Sequence, residues 1–291
     1  MSTTEARKNE LLKKRRFYNV QDYLLNNETK TLILTPKFHK YLLENKGSFG
    51  FGKITGTYLG EILETDSFKS PFAAFAKLCK IGMPMLDEKY VNAGKVLEGK
   101  ILEKISKAKR WEIQRFDATE YQYDYFKDTS SLFGGLPDGY VEDEDLIIEI
   151  KTAGIKKINE WEDNLVPVSY GKQASLYTYL NFLKKHKKEP KDNELRFLIS
   201  CLFLEEEDYI QPENVRLEDR RLKTKKIYVN LPQLKDDMQK CQDWYNHFTE
   251  KGESPIWKEA RDKDLLDFLK CKNQNEYEAL LNKWVSEGKF K

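Results

Sequence analysis

The stretch that decides the fold begins with Gly134-Gly135-Leu136-Pro137-Asp138-Gly139 and continues with Leu146-Ile147-Ile148-Glu149-Ile150-Lys151. Its first part is rich in glycine and proline, a composition that predicts a turn. Its second part is an apolar run that predicts a buried strand. Because side chains alternate between the two faces of a strand, Glu149 and Lys151 should lie on the same face. Asp138 lies eleven residues before Glu149 and is expected in the turn or at the start of the preceding strand.

Charged groups at the end of an apolar strand need compensation, because carboxylates and ammonium groups are costly to remove from water. A divalent cation together with a phosphate-bearing substrate would provide it. Asp138 and Glu149 offer the hard oxygen ligands that suit Mg²⁺, and Mn²⁺ is expected to substitute. Lys151 would then orient or deprotonate a metal-bound water and stabilise charge on the phosphate. The alternative interpretation is a surface ion pair on a hairpin.

The pattern of apolar and turn residues also predicts the elements around this stretch. Helices are predicted over 89–108, 170–185, 262–270 and 275–286. Another helix is predicted to begin at Pro71, and a further one to follow the strand at 227–231 and to end at about 250. Strands are predicted over 111–126, 196–204 and 227–231. This order of elements predicts an α/β fold in which a mixed central sheet is flanked by helices. We expect one domain over residues 1–250, with a candidate basic arm over 1–30, and a helical C-terminal extension over 251–291.

Composition sets broad limits on function. The formal net charge is +2, from 50 basic and 48 acidic residues. This balance does not exclude nucleic acid, because an acidic metal site can offset a basic groove. The four cysteines lie at least 30 residues apart, which argues against a zinc or iron–sulfur site and favours free thiols in a reducing cytoplasm. No apolar run is long enough to span a membrane, so we expect a soluble cytoplasmic protein.

Three basic segments are candidates for contacts to DNA phosphates, and a solvated surface is the alternative interpretation for each. They are Lys13–Arg16, Lys184–Lys188 and Arg216–Lys226.

The central residues resemble a known nuclease signature. Pro137-Asp138, Glu149 and Lys151 together resemble the PD-(D/E)XK motif. Twenty-two residues after Lys151, Gln173-Ala174-Ser175-Leu176-Tyr177 resembles the Q-x-x-x-Y element of the RecB-like branch of that superfamily. The resemblance implies a restriction-endonuclease-like core and a Mg²⁺-dependent deoxyribonuclease. It further implies that Ile150 adds to the metal ligands, that Gln173 acts in the site and that Tyr177 contacts DNA. Without the nuclease motif, Gln173 and Tyr177 would be an ordinary, partly polar helix face.

A closer resemblance covers residues 37–205 and involves the phage lambda-type exonucleases and the YqaJ-type viral recombinases. Lys53-Ile54-Thr55-Gly56-Thr57 is similar to their "G-x-I-T-x-S" segment, and Gly94-Lys95-Val96-Leu97-Glu98 is similar to their "G-x-x-x-E" helix. The resemblance implies an active-site carboxylate at Glu98 and a metal ligand at Asp128. It implies DNA contacts through Lys53, Thr55 and Thr57. From the residues alone, Glu98 could equally be a solvated helix position and Asp128 a loop residue.

The function that these resemblances imply is 5′-to-3′ resection of linear duplex DNA during recombination and repair. They also imply a homotrimer and a single-strand annealing protein as partner. One segment departs from the family, because Ser48-Phe49-Gly50-Phe51 stands where the lambda type carries an arginine that holds the terminal 5′ phosphate. A sequence- or structure-specific endonuclease and a catalytically silent DNA-binding module are the alternatives.

Overall fold

The elements of this computed structural model are labelled in chain order, and the structure describes residues 3–45, 47, 49–161 and 165–290. The helices are α1 (Thr3–Lys14), α2 (Pro36–Glu44), α3 (Gly56–Ile62), α4 (Pro71–Leu78), α5 (Lys89–Lys109), α6 (Val168–His186), α7 (Leu231–Lys251), α8 (Glu259–Lys270) and α9 (Gln274–Ser286). The strands are β1 (Tyr23–Asn26), β2 (Thr31–Leu34), β3 (Gly139–Val141), β4 (Leu146–Gly154), β5 (Arg196–Leu204) and β6 (Leu222–Tyr228).

A mixed sheet of the strands β3, β4, β5 and β6, in that order, carries the predicted site. β4 pairs antiparallel with β3 and parallel with β5, while β6 pairs antiparallel with β5. The central parallel pair is apolar along most of its length because both of its faces are covered. Ile148 and Ile150 on β4 pack in one core with α5, and Gln173 of α6 reaches Glu149 on the opposite face. The predicted mixed central sheet flanked by helices is confirmed.

The chain divides into two compact units that differ from the predicted domains. The helical unit comprises Met1–Lys53, Glu61–Glu88 and Lys240–Lys291, and the sheet unit comprises Ile54–Gly60 and Lys89–Gln239. The predicted C-terminal extension is helical, but it groups with the N-terminal segments because Trp257, Tyr277 and Trp284 are buried in one apolar core with Leu12 and Tyr23. The same core shows that residues 3–30 do not form a free basic arm.

Two predicted strands are wrong in position. Within 111–126, only Gln114 makes a strand-like bridge, to Tyr140. Residues 118–123 form turns, where Gln122 and Tyr123 adopt left-handed backbone conformations with φ of 51° and 62° that a regular strand does not contain. The last strand, β6, spans Leu222–Tyr228 and overlaps the predicted 227–231 range only at residues 227 and 228. The lysines of β6 replace the apolar residues from which a strand is usually predicted, although lysine is common on edge strands.

Two sequence expectations about the whole chain can be compared with the structure. All four cysteines are buried and free. Within the described ranges, none of the helices combines the length and the apolar character that crossing a membrane requires.

Candidate active site

Strand pairing places Asp138 beside Glu149, in the middle of β4. Asp138 immediately precedes β3, and the antiparallel register pairs Gly139 with Ile148. The next residues outward are therefore Asp138 and Glu149. The backbone N–H of Ile150 donates to Asp138 Oδ2 at 2.6 Å. This bond fixes the carboxylate against β4 and satisfies an amide that lies beyond the end of β3.

Glu149, Lys151 and Gln173 form a closed set of contacts on the face of β4 that α6 covers. Lys151 Nζ is paired with Glu149 Oε1. Gln173 Nε2 donates to the same oxygen at 2.6 Å, and Lys151 Nζ donates to Gln173 Oε1 at 3.4 Å. Glu149 Oε2 is buried and has no hydrogen-bond partner among the described residues. One oxygen of a fully buried carboxylate is thus left for another ligand.

Burial of the two carboxylates, Asp138 and Glu149, has the largest effect on the pKa values in this cluster. Burial raises the pKa of Asp138 above its ordinary value. Burial, and then repulsion from Asp138, raise the pKa of Glu149. Burial alone would lower the pKa of Lys151, but Glu149 and Asp138 outweigh it and raise that pKa. Lys151 is therefore held as an ammonium, a state suited to stabilising negative charge and not to accepting a proton.

A third carboxylate belongs to the same cluster. Glu98 lies on α5, and burial followed by repulsion from Asp138 raises its pKa to about 7, while Lys151 and Arg115 act in the opposite direction. This electrostatic coupling brings together residues from α5, β4 and the turn before β3. It agrees with the position that the sequence resemblance implies for Glu98 and disfavours the solvated-helix interpretation.

The donors present fit a Mg²⁺ ion. Among the described residues, no three His, Cys, Asp or Glu side chains come together as a metal-binding group. Asp138 and Glu149 supply two carboxylates, one with an unpartnered oxygen. The Ile150 carbonyl would be a third donor, because the amide and carbonyl of one strand residue point to the same side and the Ile150 amide faces Asp138. Mg²⁺ commonly takes one or two carboxylates and keeps several waters, so this set is sufficient.

Tyr177 is placed inside the protein, where it cannot contact DNA directly. Its side chain is 4% exposed, and burial raises the pKa of its hydroxyl above the ordinary value. A Cβ atom added at Gly135 would collide with the Tyr177 ring, and one added at Gly56 would collide with the side chain of Gln173. Gly56 and Gly135 are therefore glycines because α6 approaches their backbones closely. Tyr177 positions the segments that lead to the site.

The other predicted residues fall in different places. Thr55 directly precedes α3, and Thr57 is exposed in its first turn, so the Thr57 hydroxyl is accessible to a ligand. Lys53 belongs to the helical unit. Asp128 is exposed in a turn, and nothing in the described part of the chain couples it to Asp138 or Glu149. The structure does not bring Asp128 into the cluster, and Ser48 lies outside the described residues.

Two residues near the site were missed by sequence reasoning. Asp124 accepts hydrogen bonds from the amides of Phe126 at 3.0 Å and Gly135 at 3.1 Å, and so supports the segment that leads to Asp138. Arg115 donates to the carbonyl of Gly99 at 3.0 Å and is the cation, besides Lys151, that lowers the pKa of Glu98. Neither residue belongs to a motif, and both lie in the segment that was predicted to be a strand, so no sequence signal identified them.

The basic segments are largely paired within the protein. Lys184 donates to the carbonyl of Tyr125, and Lys185 pairs with Glu142. Arg220 pairs with Asp208. These bonds favour a structural role for the Lys184–Lys188 and Arg216–Lys226 segments over the prediction that they follow DNA phosphates.

Comparisons with known proteins give relatives that are not themselves characterised. No protein-family model matches the chain. It is 29% identical over 257 residues to the uncharacterized protein MG373 of Mycoplasma genitalium, an alignment that covers 74% of this chain and 86% of that protein. It is 26% identical over 258 residues to the homolog of that protein in Mycoplasma pneumoniae, with 75% of this chain and 87% of the relative covered.

Similar solved structures include two exonucleases. The alkaline exonuclease from Laribacter hongkongensis has a TM-score of 0.48 and 12% identity, with 75% of this chain and 94% of that chain covered. A phage-related exonuclease from Haemophilus somnus has a TM-score of 0.43 and 13% identity, with 69% and 96% covered. At these TM-scores the likeness carries no argument about chemistry, which has to come from the site itself.

Proposed function

We propose that this protein is a Mg²⁺-dependent deoxyribonuclease that degrades linear duplex DNA from its ends. The observation that carries the proposal is the buried pair Asp138 and Glu149, whose pKa values are both raised and which Lys151 alone cannot neutralise. Within the described part of the chain, Asp138, Glu149 and Glu98 face the Lys151 ammonium, and Arg115 acts on Glu98 alone. A dication and the phosphodiester that it binds would compensate this charge.

Each residue has a distinct role in the proposal. Asp138, Glu149 and the Ile150 carbonyl would hold the metal, which supplies Lewis-acid polarisation of the phosphate and a water of lowered pKa. Lys151 stabilises negative charge on the phosphate as an ammonium. Gln173 holds the Glu149 carboxylate and the Lys151 ammonium in register through its two amide atoms. Glu98, with a pKa of about 7, is suited to exchanging a proton near neutral pH.

An exonuclease is placed ahead of an endonuclease because of the Lys53–Thr57 segment. Its resemblance to the end-binding part of lambda-type enzymes is matched by the exposure of Thr57 in the first turn of α3. In this proposal Lys53, Thr55 and Thr57 contact the terminal 5′ phosphate, and Lys53 supplies charge in place of the missing arginine. Resection for recombination, a single-strand annealing partner and a homotrimer remain part of the proposal on the same sequence resemblance.

The test is a time course on linear duplex DNA labelled at the 5′ or the 3′ end, with Mg²⁺ or with EDTA, beside a covalently closed plasmid. We expect metal-dependent loss of the linear duplex from its 5′ ends, survival of the plasmid and no reaction in EDTA. Lys53→Ala should reduce the preference for a 5′-phosphorylated over a 5′-hydroxyl end. Rapid cutting of the plasmid would overturn the exonuclease assignment and favour the endonuclease, whereas full activity in EDTA would overturn the metal assignment.

A further inference from the structure

A cavity of about 430 Å³ lies within the helical unit, and its lining combines cations with aromatic rings. Its volume falls within the range of small-molecule sites. The cations are Lys14, Arg15, Arg16 and Lys80, and no carboxylate is among the described residues that line it. A cavity with this lining attracts anions.

The deepest of these cations, Arg15, has no acidic partner in the described part of the chain. Its guanidinium donates to the carbonyl of Phe268 at 2.9 Å and to the hydroxyl of Tyr23 at 3.3 Å. It lies over the rings of Phe268 and Tyr277, 3.9 and 4.7 Å from their centroids. All these partners are neutral, and Nη1 is buried without a partner. The full positive charge of Arg15 therefore acts on the cavity from its wall.

Two further cations at the rim are available to a ligand. Arg16 and Lys80 are exposed, and neither forms an ion pair within the described residues. Lys14 differs from them, because it pairs with Glu10 on α1. Arg16 and Lys80 can therefore bind an anion directly, while Lys14 adds little net charge.

The rim also offers aromatic surface. Phe17 and Tyr41 line the cavity, with ring centroids 6.5 Å apart and planes inclined by 55°. Tyr41 is 37% exposed, so part of its ring is open to a stacking partner. A ligand that satisfies this lining has a negative charge next to a flat, apolar ring, which is the chemistry of a nucleotide.

We propose that this cavity binds one nucleotide unit, with its phosphate on Arg16 and Lys80 and its base against Phe17 and Tyr41. The unit could be a free mononucleotide or part of a single strand, since both present the same groups. The proposal goes beyond the proposed function, because all the lining residues belong to the helical unit and none is a residue of the candidate active site.

The experiment is calorimetric titration of the full chain in EDTA, which prevents metal-dependent cleavage during binding measurements. The probes are thymidine monophosphate, thymidine and an oligo-thymidine strand. We expect the monophosphate to bind and thymidine to bind much more weakly. Arg16→Ala and Lys80→Ala should each weaken the monophosphate by about tenfold, the scale of one charged hydrogen bond. Lys13→Ala is the matched control, because Lys13 is exposed on α1 but does not line the cavity, and it should bind as wild type.

The titration with the oligo-thymidine strand shows whether the natural ligand is a free nucleotide or part of a single strand. Tighter binding of the oligonucleotide, with a salt slope steeper by about 0.7 per added phosphate contact, would identify a single strand. Equal affinity for strand and monophosphate would identify the free nucleotide. The proposal is overturned if the monophosphate does not bind, or if it binds equally to wild type, Arg16→Ala and Lys80→Ala.

Nucleotide binding by the cavity can be tested separately from the proposed nuclease activity. Lys151→Ala should keep the monophosphate affinity of the cavity while losing cleavage. A wild-type protein that cleaves no DNA but binds the monophosphate through Arg16 and Lys80 would overturn the proposed function alone.

Discussion

The acidic cluster of the sheet unit and the cationic cavity of the helical unit both contain charge that the fold does not neutralise. The excess charge is negative in the cluster and positive in the cavity. In the first, Glu98, Asp138 and Glu149 share one buried ammonium, and their pKa values rise. In the second, Arg15 is held by neutral carbonyls and rings, and no carboxylate of the described ranges pairs with it. Charge left uncompensated by the fold indicates the sign of the missing ligand, a dication in one unit and a phosphate in the other.

This comparison also shows why ion pairs alone do not indicate function. Lys172 on α6 pairs with the buried Asp237 on α7, and Arg220 pairs with Asp208. In both pairs a carboxylate neutralises the cation, so neither pair indicates a binding site for a ligand. They stabilise the elements around the site, whereas the two regions with unequal charge are candidates for binding.

The largest effect should follow from removing a metal-binding carboxylate. Asp138→Ala and Glu149→Ala should each lower kcat by on the order of 10³-fold or more, because the Lewis-acid contribution of the metal is worth several kcal/mol. Thermal unfolding should show that the metal-free variants remain folded, since the removal of a repelling buried charge offsets the lost contact to the Ile150 amide or to Lys151. Asp128→Ala is the matched carboxylate control and should remain active. An inactive Asp128→Ala variant that folds normally would show that the Asp128 turn joins the site.

Lys151 should have the next largest effect. Lys151→Ala should lower kcat by on the order of 10²-fold, as expected for loss of a group that stabilises transition-state charge. KM for DNA should change little, because the proposed interaction strengthens during reaction. Steady-state kinetics on linear duplex DNA separate the two parameters. A change confined to KM would make Lys151 a phosphate contact and would reduce the contrast with Arg16 and Lys80.

A smaller effect is expected from Gly56, which acts through Gln173. Gly56→Ala introduces a Cβ that collides with the Gln173 side chain, so the amide that joins Glu149 to Lys151 should shift. Small misplacements of this kind lower kcat by about tenfold or more. Gly171→Ala, on the helix that carries Gln173, is the control, because its Cβ would have only an ordinary contact, 3.5 Å from Val166. Equal activity of the two variants would remove the positioning role.

The smallest effect concerns the pH dependence of stability. The folded-state pKa values of Glu98, Asp138 and Glu149 lie above their ordinary values. The folded protein therefore holds more protons than the unfolded chain, and its stability is greatest below the unfolded pKa and decreases as the pH rises through the folded ones. We expect the Tm of the metal-free protein to fall by about 5 °C between about pH 5 and pH 8.

The Glu149→Gln variant tests the origin of that slope. It removes one titrating carboxylate at nearly constant volume, so Tm should vary less with pH than in wild type. Mg²⁺ should raise the Tm of wild type more at the higher pH, because the metal competes with protons for the same oxygens. A pH slope that is identical in wild type and Glu149→Gln would assign the effect to other groups.

The sequence by itself determined the centre of the molecule. The two-residue period of a strand puts Glu149 and Lys151 on one face, and the turn before β3 brings Asp138 to them. The helix of Gln173 was also predictable, because local periodicity specifies it. These features depend on residues close in sequence, or on apolar runs that can only be buried.

Only the tertiary structure decided which of the remaining residues are buried, paired or exposed. Tyr177 is buried against Gly135. Arg15 belongs to a charge run interpreted as solvated or phosphate-contacting, yet it lies against Phe268 from the opposite end of the chain. Asp128 was assigned to the site by the family resemblance, yet it is exposed in a turn. The physical reason is that burial and charge compensation depend on contacts between residues far apart in sequence, and no local pattern encodes those contacts.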